Sequence, residues 1–573
     1  MINAPPKALP PVIPVIFVPG VLGSNLRIAA EFIPKVQEIF KKEGRTEEFK
    51  GESWLPPTVT DSSMKAARHA WEELRNRDSD AVKLAKRWES YGPKIRQALM
   101  SPVMTEVDPN GVIPENLGGL FSAPGENGPA VARRRGWGSV HWESYGRFLV
   151  AMEMSLNRGH SRLGLERMVE WVDFGRYQSL AEQHFPEAVL PTDADLKHAA
   201  PFLFPVFAFG YNFTRSNAES AVELLKAMEK WIGEYQQAGH DCKQAILVTH
   251  SMGGLVARAA SKKDSKGLIL GVVHGVMPAI GAPVLYRRVV AGWEAEKGRV
   301  FLPELRGILV PMAGRTSAET TPVVGNAQGI LELLPSHLYA NGWLQVGEGL
   351  RGGKMRTFFS LPEKGNPYDE IYKQKDVWWR LIDPDLLDPA HLHSKTKTGV
   401  NPALAWKAYL TRINLVEDFH KEYASETDYH AADRTYVFYG SRKNTFRSVR
   451  WWVQNNSDRL DWSDLRSCRG DAGDRRTYRN IVKVRGVSGQ GPYSPNDYPT
   501  TILERAEIQG WDGDGDETVP LESGSAPGKR IANICQLHGF DHQYAFDNSI
   551  ARAFTFLTIC KLARHSDGKV RLQ

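Results

Sequence analysis

Short apolar, largely β-branched runs recur at about 14–18, 204–209, 245–249, 268–273, 435–439 and 530–537. Each is a few residues long and, except for the last with Arg530, Asn533 and Gln536, mostly apolar at successive positions, the pattern of a strand covered on both faces. Amphipathic stretches lie between them. The clearest occupies 212–239, where Leu224, Leu225, Met228, Trp231, Ile232 and Tyr235 return at helical spacing. Just ahead, Ser216-Asn217-Ala218-Glu219 fits a capping box, in which Ser216 and Glu219 exchange hydrogen bonds with each other's backbone. Strands alternating with helices predict an α/β fold with a mostly parallel central sheet. The apolar stretch Gly267 to Leu285 carries His274, Pro278 and Pro283. It reads as a buried strand and its following loop, not as a membrane span.

The alternating pattern is discontinuous. It occupies 12–27, 201–284, 430–445 and 505–565, and two long insertions interrupt it. The first, 28–200, is mostly helical. It has a charged helical part around Met64 to Leu99, a Gly/Pro-rich passage from Asp108 to Pro129, an aromatic segment from Trp137 to Tyr145 and a helical run from Phe148 to Leu156. The second, 285–510, is aromatic-rich, with Trp378-Trp379, Trp451-Trp452 and polar loops over 454–500. No internal repeat recurs at a fixed period. Insertions between strands of an open α/β sheet sit over the strand ends, where ligands bind. Both are therefore expected to act as cap or lid elements.

The chemistry is written at the end of the run Ala245-Ile246-Leu247-Val248-Thr249-His250-Ser251-Met252-Gly253-Gly254. A buried strand ends in a serine, small residues follow, and a helical pattern begins. This is the strand, sharp turn and helix of a nucleophile elbow, with Thr249 in place of the usual first glycine. His250 precedes the serine and points to the opposite face of the strand, so it reads as structural. A serine hydroxyl is a weak nucleophile and needs a base and a carboxylate. Asp512, Asp514 and Asp516 lie in a Gly-rich loop before Val519-Pro520. Asp516 is the expected triad carboxylate, with Asp514 the second choice. The alternating acids also admit a calcium loop, although Glu517 and Ser523 fall where an EF-hand needs Gly and Glu. His542 lies past Gly539, between the last strand and the last helical pattern, and is favoured as the base over His538. The order Ser251, Asp516, His542 is that of α/β-hydrolases. In such folds the amide after the nucleophile and one from the first glycine-rich loop bind the oxyanion. These are Met252 and Val21, the latter in Pro19-Gly20-Val21-Leu22-Gly23.

Three segments resemble lipid-acting α/β-hydrolases of the GPI inositol-deacylase and lecithin:cholesterol acyltransferase type. They are residues 15–26, residues 249–258 and Gly515-Asp516-Glu517-Thr518-Val519-Pro520. Tyr211-Asn212-Phe213, with Arg215 two residues on, resembles a Tyr-Asp-Trp-Arg motif of that group. Arg134-Arg135-Gly136-Trp137-Gly138-Ser139-Val140 and Leu331-Glu332-Leu333-Leu334-Pro335 are similar to segments of the fourth family of bacterial type VI secretion lipase effectors. The resemblance implies an α/β-hydrolase fold and a serine carboxylic-ester hydrolase acting on lipid, of phospholipase A1/A2 type. An acyltransferase using the same triad, and a catalytically dead fold serving as a binding protein, stay open. It also implies a phospholipid membrane surface as substrate, an immunity protein and a secretion-spike partner, and export by a type VI system to the target-cell periplasm. An aromatic-lined cap would offer an acyl chain a dry groove, the alternative being that these aromatics form the insertions' own cores.

With 573 residues, 42% hydrophobic and 24% charged, the chain fits a large globular protein. A net charge of +6 permits attraction to anionic lipid. Basic residues are interspersed with acidic ones, which argues against nucleic acid. The sharpest basic run, Arg133-Arg134-Arg135, reads as a solvated loop. Cys242, Cys468, Cys535 and Cys560 show no metal-ligand spacing and read as buried thiols of a protein made in a reducing compartment. The proline-rich Met1 to Pro11 lacks the charged-then-apolar pattern of a signal peptide. The triad chemistry calls for no cofactor and no metal.

Overall fold

The computed structural model describes residues 8–56, 80–117, 120–121, 128–157, 180, 183–293, 312–349, 355–454, 469–470, 484–485, 501–503, 505–509, 512–569 and 571–572. Its centre is a six-stranded sheet built from β1 (Val15–Val18), β2 (Val206–Ala208), β3 (Ala245–His250), β4 (Ile269–Gly275), β5 (Thr435–Ser441) and β6 (Ile534–His538). The spatial order is β6-β5-β4-β3-β1-β2, and every neighbouring pair is parallel. These are the six apolar runs of the sequence. The second is shorter than expected because Pro205 has no N–H to give a ladder. The last begins later because the Arg530 and Ile531 N–H groups donate back to the Pro527 carbonyl and not to a neighbouring strand.

Alternation along β1 feeds two layers. Val15 and Phe17 pack on one face, with Ile246 and Val248 of β3, against α1 (Trp142–Asn157) and α6 (Ser549–Leu562). Ile16 and Val18 pack on the other, against α2 (Asn217–Gln237) and α3 (Gly253–Lys263). Each such Phe, Leu or Ile, fully buried, contributes roughly 1.5–3 kcal/mol of transfer free energy. A parallel sheet covered on both faces explains why its strands read as continuous apolar runs.

The outer edge of β2 is covered by the 128–157 segment. Val206 N–H donates to Glu153 Oε2 (2.9 Å), Phe204 N–H donates to Asn157 Oδ1 (2.9 Å), and Trp137 Nε1–H donates to the Val206 carbonyl (2.9 Å). This satisfies and blocks an edge that would otherwise template another strand. So α1, which lies inside the span read as the first insertion, is packed as a layer of the core. Arg133-Arg134-Arg135 is not a loop, although Arg133 and Arg134 are solvent-exposed as read. Gly128–Arg134 is helical, and Arg135 pairs with the buried Glu153 at 2.9 Å and stacks on Phe121.

The charged helical part of the first insertion contains helices Asp80–Glu89 and Pro93–Leu99, while 57–79 lie outside the described residues. The second insertion adds α4 (Val284–Ala291), α5 (Pro402–Tyr423) and a four-stranded sheet. That sheet runs Arg505–Gln509, Val449–Gln454, Leu344–Gly349, Met355–Leu361. Trp378, Trp379 and Trp451 are buried within it, with Trp378 and Trp451 edge-to-face at 5.2 Å. Those tryptophans are packed in an apolar interior continuous with one layer of the central sheet. Most of 454–500, and Cys468, lie outside the described residues; Cys242, Cys535 and Cys560 are buried free thiols.

The capping box is not formed as read. Ser216 does cap α2, accepting from Ala218 N–H, but Glu219 takes no part. The carboxylate that closes the cap is Glu332, which accepts from Asn217 N–H (2.9 Å), Asn217 Nδ2 (2.7 Å) and Ser216 Oγ (2.9 Å). Its burial pushes the Glu332 carboxyl up to about 7. A residue 115 positions away thus satisfies the orphan donors of the helix start, which local sequence could not reveal.

Candidate active site

The loops following β1, β3 and β6 meet at the carboxyl edge of the sheet. Ser251 follows β3 with φ 51°, in the left-handed region, and its N–H donates to the Gly275 carbonyl at 2.9 Å. The elbow turn is tight. A Cβ at Gly253 would come within 2.4 Å of the Val18 carbonyl oxygen, so only glycine lets α3 start this close to β1. Thr249 takes the usual glycine position without strain, being fully buried with Oγ1 at 3.0 Å from His274 Nδ1.

His542 comes from the loop after β6. Its Nε2 lies 2.8 Å from Ser251 Oγ, and its Nδ1 lies 2.9 Å from Asp516 Oδ2. The other oxygen of Asp516 accepts from Val519 N–H (2.7 Å) and Thr518 N–H (3.1 Å). His542 N–H donates to the Asp516 carbonyl at 3.0 Å, which locks the two loops together. Asp516 is 1% exposed. An acceptor-only carboxylate facing Nδ1 places the imidazole proton on Nδ1 and leaves Nε2 bare towards the serine. Sequence, spacing and geometry therefore bring Ser251, Asp516 and His542 together in hydrogen-bonding contact.

The rival candidates lie elsewhere. His538 meets His184 edge-to-face, with ring centroids 6.5 Å apart. Asp514 accepts from Arg442 N–H, and Asp512 accepts from Arg447 N–H, Ser448 and Arg450. The three acids of the loop thus serve three separate partners and do not converge as calcium ligands. Among the described residues no group of three His, Cys, Asp or Glu gathers to hold a metal ion.

Val21 and Met252 flank the serine from two loops. Among the described residues neither backbone N–H has a hydrogen-bond acceptor, which suits donors awaiting an anion. Leu22, next to Val21, has φ 62° and holds the turn sharply. A cleft of about 180 Å³ opens over Ser251 and His542. Its apolar wall includes Leu22, Trp54, Leu285, Ile330 and Leu333, and its polar end His141, Ser144 and Gln543. Trp293 and Arg288 also line it, stacked with Arg288 Cζ 4.2 Å from the ring centroid. The tryptophans of the lining are thus Trp54 and Trp293, not Trp378, Trp379 or Trp451 of the sequence's tryptophan doublets. No sequence signal marked either lining residue.

No family model and no curated protein matches the sequence. A solved structure does. One chain in the crystal structure of the Tle4–Tli4 complex superposes with a TM-score of 0.67 at 25% identity, over 97% of this chain and 99% of that one. The chain has an α/β-hydrolase fold. Near-complete coverage of both chains shows that the stretches read as insertions belong to the shared architecture, not only the hydrolase core.

Of the other segments that carried the family resemblance, the Tyr211–Arg215 stretch holds the fold together away from the cleft. Tyr211 is buried and donates to the Pro19 carbonyl (2.9 Å), Asn212 donates to Thr105, and Arg215 donates to the Pro102 carbonyl (2.8 Å). None of the three lines the cleft. They tie the 101–105 segment to the loop after β2. In Leu331-Glu332-Leu333-Leu334-Pro335, Glu332 caps α2 while Leu333 reaches the cleft. No helix among the described residues is long and apolar enough to cross a membrane.

Proposed function

We propose that this chain is a serine carboxylic-ester hydrolase acting on lipid, a phospholipase of A1/A2 type. The reading rests above all on the unbroken contact from Ser251 Oγ to His542 to Asp516, opening into a mostly apolar cleft. In this reading Ser251 attacks the ester carbonyl while His542 Nε2 takes its proton. Asp516 keeps the imidazole in the right tautomer and stabilises the imidazolium. The Val21 and Met252 amides bind the oxyanion where charge develops. His542 returns the proton to the leaving alcohol, and water activated by the same histidine releases the fatty acid. The wall of Leu22, Leu285, Ile330 and Leu333 takes the acyl chain, and the polar end by Ser144 and Gln543 takes the glycerol side.

The structural neighbour supports a more specific setting. Tle4 is a type VI lipase effector and is held in that crystal structure with Tli4, its immunity protein. By that likeness the chain acts as an antibacterial toxin on the phospholipid surface of a target cell. It would be delivered by a type VI secretion system to the target periplasm and neutralised in the producer by an immunity protein. Fluorophosphonate labelling tests the enzymatic reading. The folded protein is expected to label at Ser251 and to lose labelling in Ser251→Ala. Absence of labelling in the wild type would leave a hydrolase fold without its chemistry.

A further inference from the structure

Beside the triad lies a buried group that the mechanism does not use. His250, directly before the nucleophile, is fully buried and lies 5.2 Å from His542, ring to ring. Its Nε2 is 2.9 Å from the His542 carbonyl oxygen, and its Nδ1 is 3.0 Å from the hydroxyl of Tyr145. The same hydroxyl receives the N–H of Gly20 at 3.2 Å. The protons can be placed by elimination. A carbonyl only accepts, so His250 Nε2 carries the hydrogen. Burial and the neighbouring His542 hold His250 down to about 3, so the ring is neutral and Nδ1 is bare. Tyr145 must then donate to Nδ1, and its oxygen is free to accept from Gly20. A single proton arrangement satisfies every atom in the chain Gly20 N–H, Tyr145 O–H, His250 Nε2–H, His542 C=O.

The bridge joins three parts of the site that come from distant sequence. Gly20 is the residue before Val21 in the loop carrying an oxyanion donor. Tyr145 is on α1, 125 residues later, and His250 is another 105 residues on. The spacing of the loop is cut to fit it. A Cβ at Gly20 would lie 2.7 Å from His250 Nδ1, and a Cβ at Gly23 would lie 2.7 Å from the Tyr145 hydroxyl. Gly20 thus abuts the His250 ring and Gly23 the Tyr145 ring, and Leu22 between the two glycines is held at φ 62°. A loop strained in this way keeps its shape only when its surroundings over-determine it.

We propose that Tyr145 and His250 are positioning residues that hold the Val21 amide and the His542 ring in register across Ser251. This rests on the serine-hydrolase reading above. The two residues stand behind the reacting groups, so their loss should loosen the transition state and not the substrate. Displacement of an oxyanion donor or base by about 1 Å costs on the order of 100-fold. Tyr145→Phe keeps the ring against Gly23 and deletes the hydroxyl. His250→Gln keeps a donor towards the His542 carbonyl and removes the ring nitrogen facing Tyr145.

The test measures kcat and KM on a p-nitrophenyl butyrate series and the Ki of a butyl boronic acid, whose tetrahedral serine adduct reads the oxyanion site. Thermal melts of the same samples show whether each variant is folded. In Tyr145→Phe, kcat should fall about 10- to 100-fold, with KM within about twofold and boronate Ki weakened in proportion to the loss in kcat. His250→Gln should lose less than His250→Ala, and Tyr145→Phe with His250→Ala should be no worse than His250→Ala alone, as members of one bridge require. If Tyr145→Phe and His250→Ala both keep wild-type kcat, or if only KM moves, the bridge is overturned while the hydrolase reading stands. A wild type that neither hydrolyses ester nor binds boronate overturns both.

Discussion

Replacing Asp516 by Asn changes a single atom and should cost most of the activity. Asp516 Oδ1 accepts two backbone N–H groups, from Thr518 and Val519, and Oδ2 accepts from His542 Nδ1. In the amide, the carbonyl oxygen must stay on the side of the two N–H donors, because an NH₂ group there would face donors with donors. The NH₂ is then turned towards His542. Nδ1 must accept, the imidazole proton moves to Nε2, and Nε2 can no longer take the proton of Ser251 Oγ at 2.8 Å. The equivalent tautomer fault in another serine hydrolase costs about 10,000-fold in kcat, or about 5 kcal/mol of barrier. Folding should be nearly unaffected, since the loop keeps both backbone bonds to the side chain. The assay is kcat on a soluble p-nitrophenyl ester beside a thermal melt. A variant that melts like the wild type and keeps kcat within tenfold would refute the assignment of Asp516 as the group that sets the tautomer.

Three further outcomes follow from the packing. Burial holds His250 and His274 down to about 3 and His420 to about 4, while it raises Glu332 to about 7. Near pH 5 the unfolded chain therefore binds three more protons at the histidines and one fewer at the glutamate. These groups make stability fall as pH drops from about 6.5 towards 5, with a slope that steepens from roughly 1 kcal/mol per unit near pH 6.5 to roughly 3 near pH 5; urea midpoints equal at pH 5 and 6.5 would contradict this. Gly253→Ala places its Cβ 2.4 Å from the Val18 carbonyl, whereas Gly254→Ala meets the bendable Met277 side chain. The first should cost roughly 1–3 kcal/mol and the second distinctly less, as chemical unfolding would show, and equal losses would refute the close-approach argument. Ile330→Trp, on the apolar wall, should shift the preferred ester towards shorter acyl chains with little loss on acetate; an unchanged chain-length profile would place the acyl chain elsewhere.

Much of this architecture is legible in the chain because its causes are local. A strand buried on both faces must be apolar throughout, and the inner strands showed that signature, whereas the edge strand Ile534–His538 exposes Gln536. The elbow reads from Ser251 and Gly253 because backbone approach there leaves no room for a side chain. Asp516 and His542 were narrowed by their place after late strands. What stayed hidden is held by partners far apart in sequence. Glu332 completes the cap of α2 from 115 residues away, and nothing near Ser216 announces it. Tyr145 read as one aromatic among several, and its role depends on meeting Gly20 and His250. The tryptophan doublets misled for a related reason. Aromatic content marks burial, and only tertiary packing decides that Trp378 and Trp451 face each other while Trp54 faces the cleft.

The central claim is that Ser251 opens acyl esters of membrane lipid. Mass spectrometry of mixed phospholipid vesicles incubated with wild type and with Ser251→Ala tests it most directly. The account predicts free fatty acid and lysophospholipid from the wild type alone, the acyl position released naming the A1 or A2 specificity. Intact lipid with the wild type, while Ser251 still labels with a fluorophosphonate, would contradict the lipid substrate; equal product from both proteins would contradict the nucleophile.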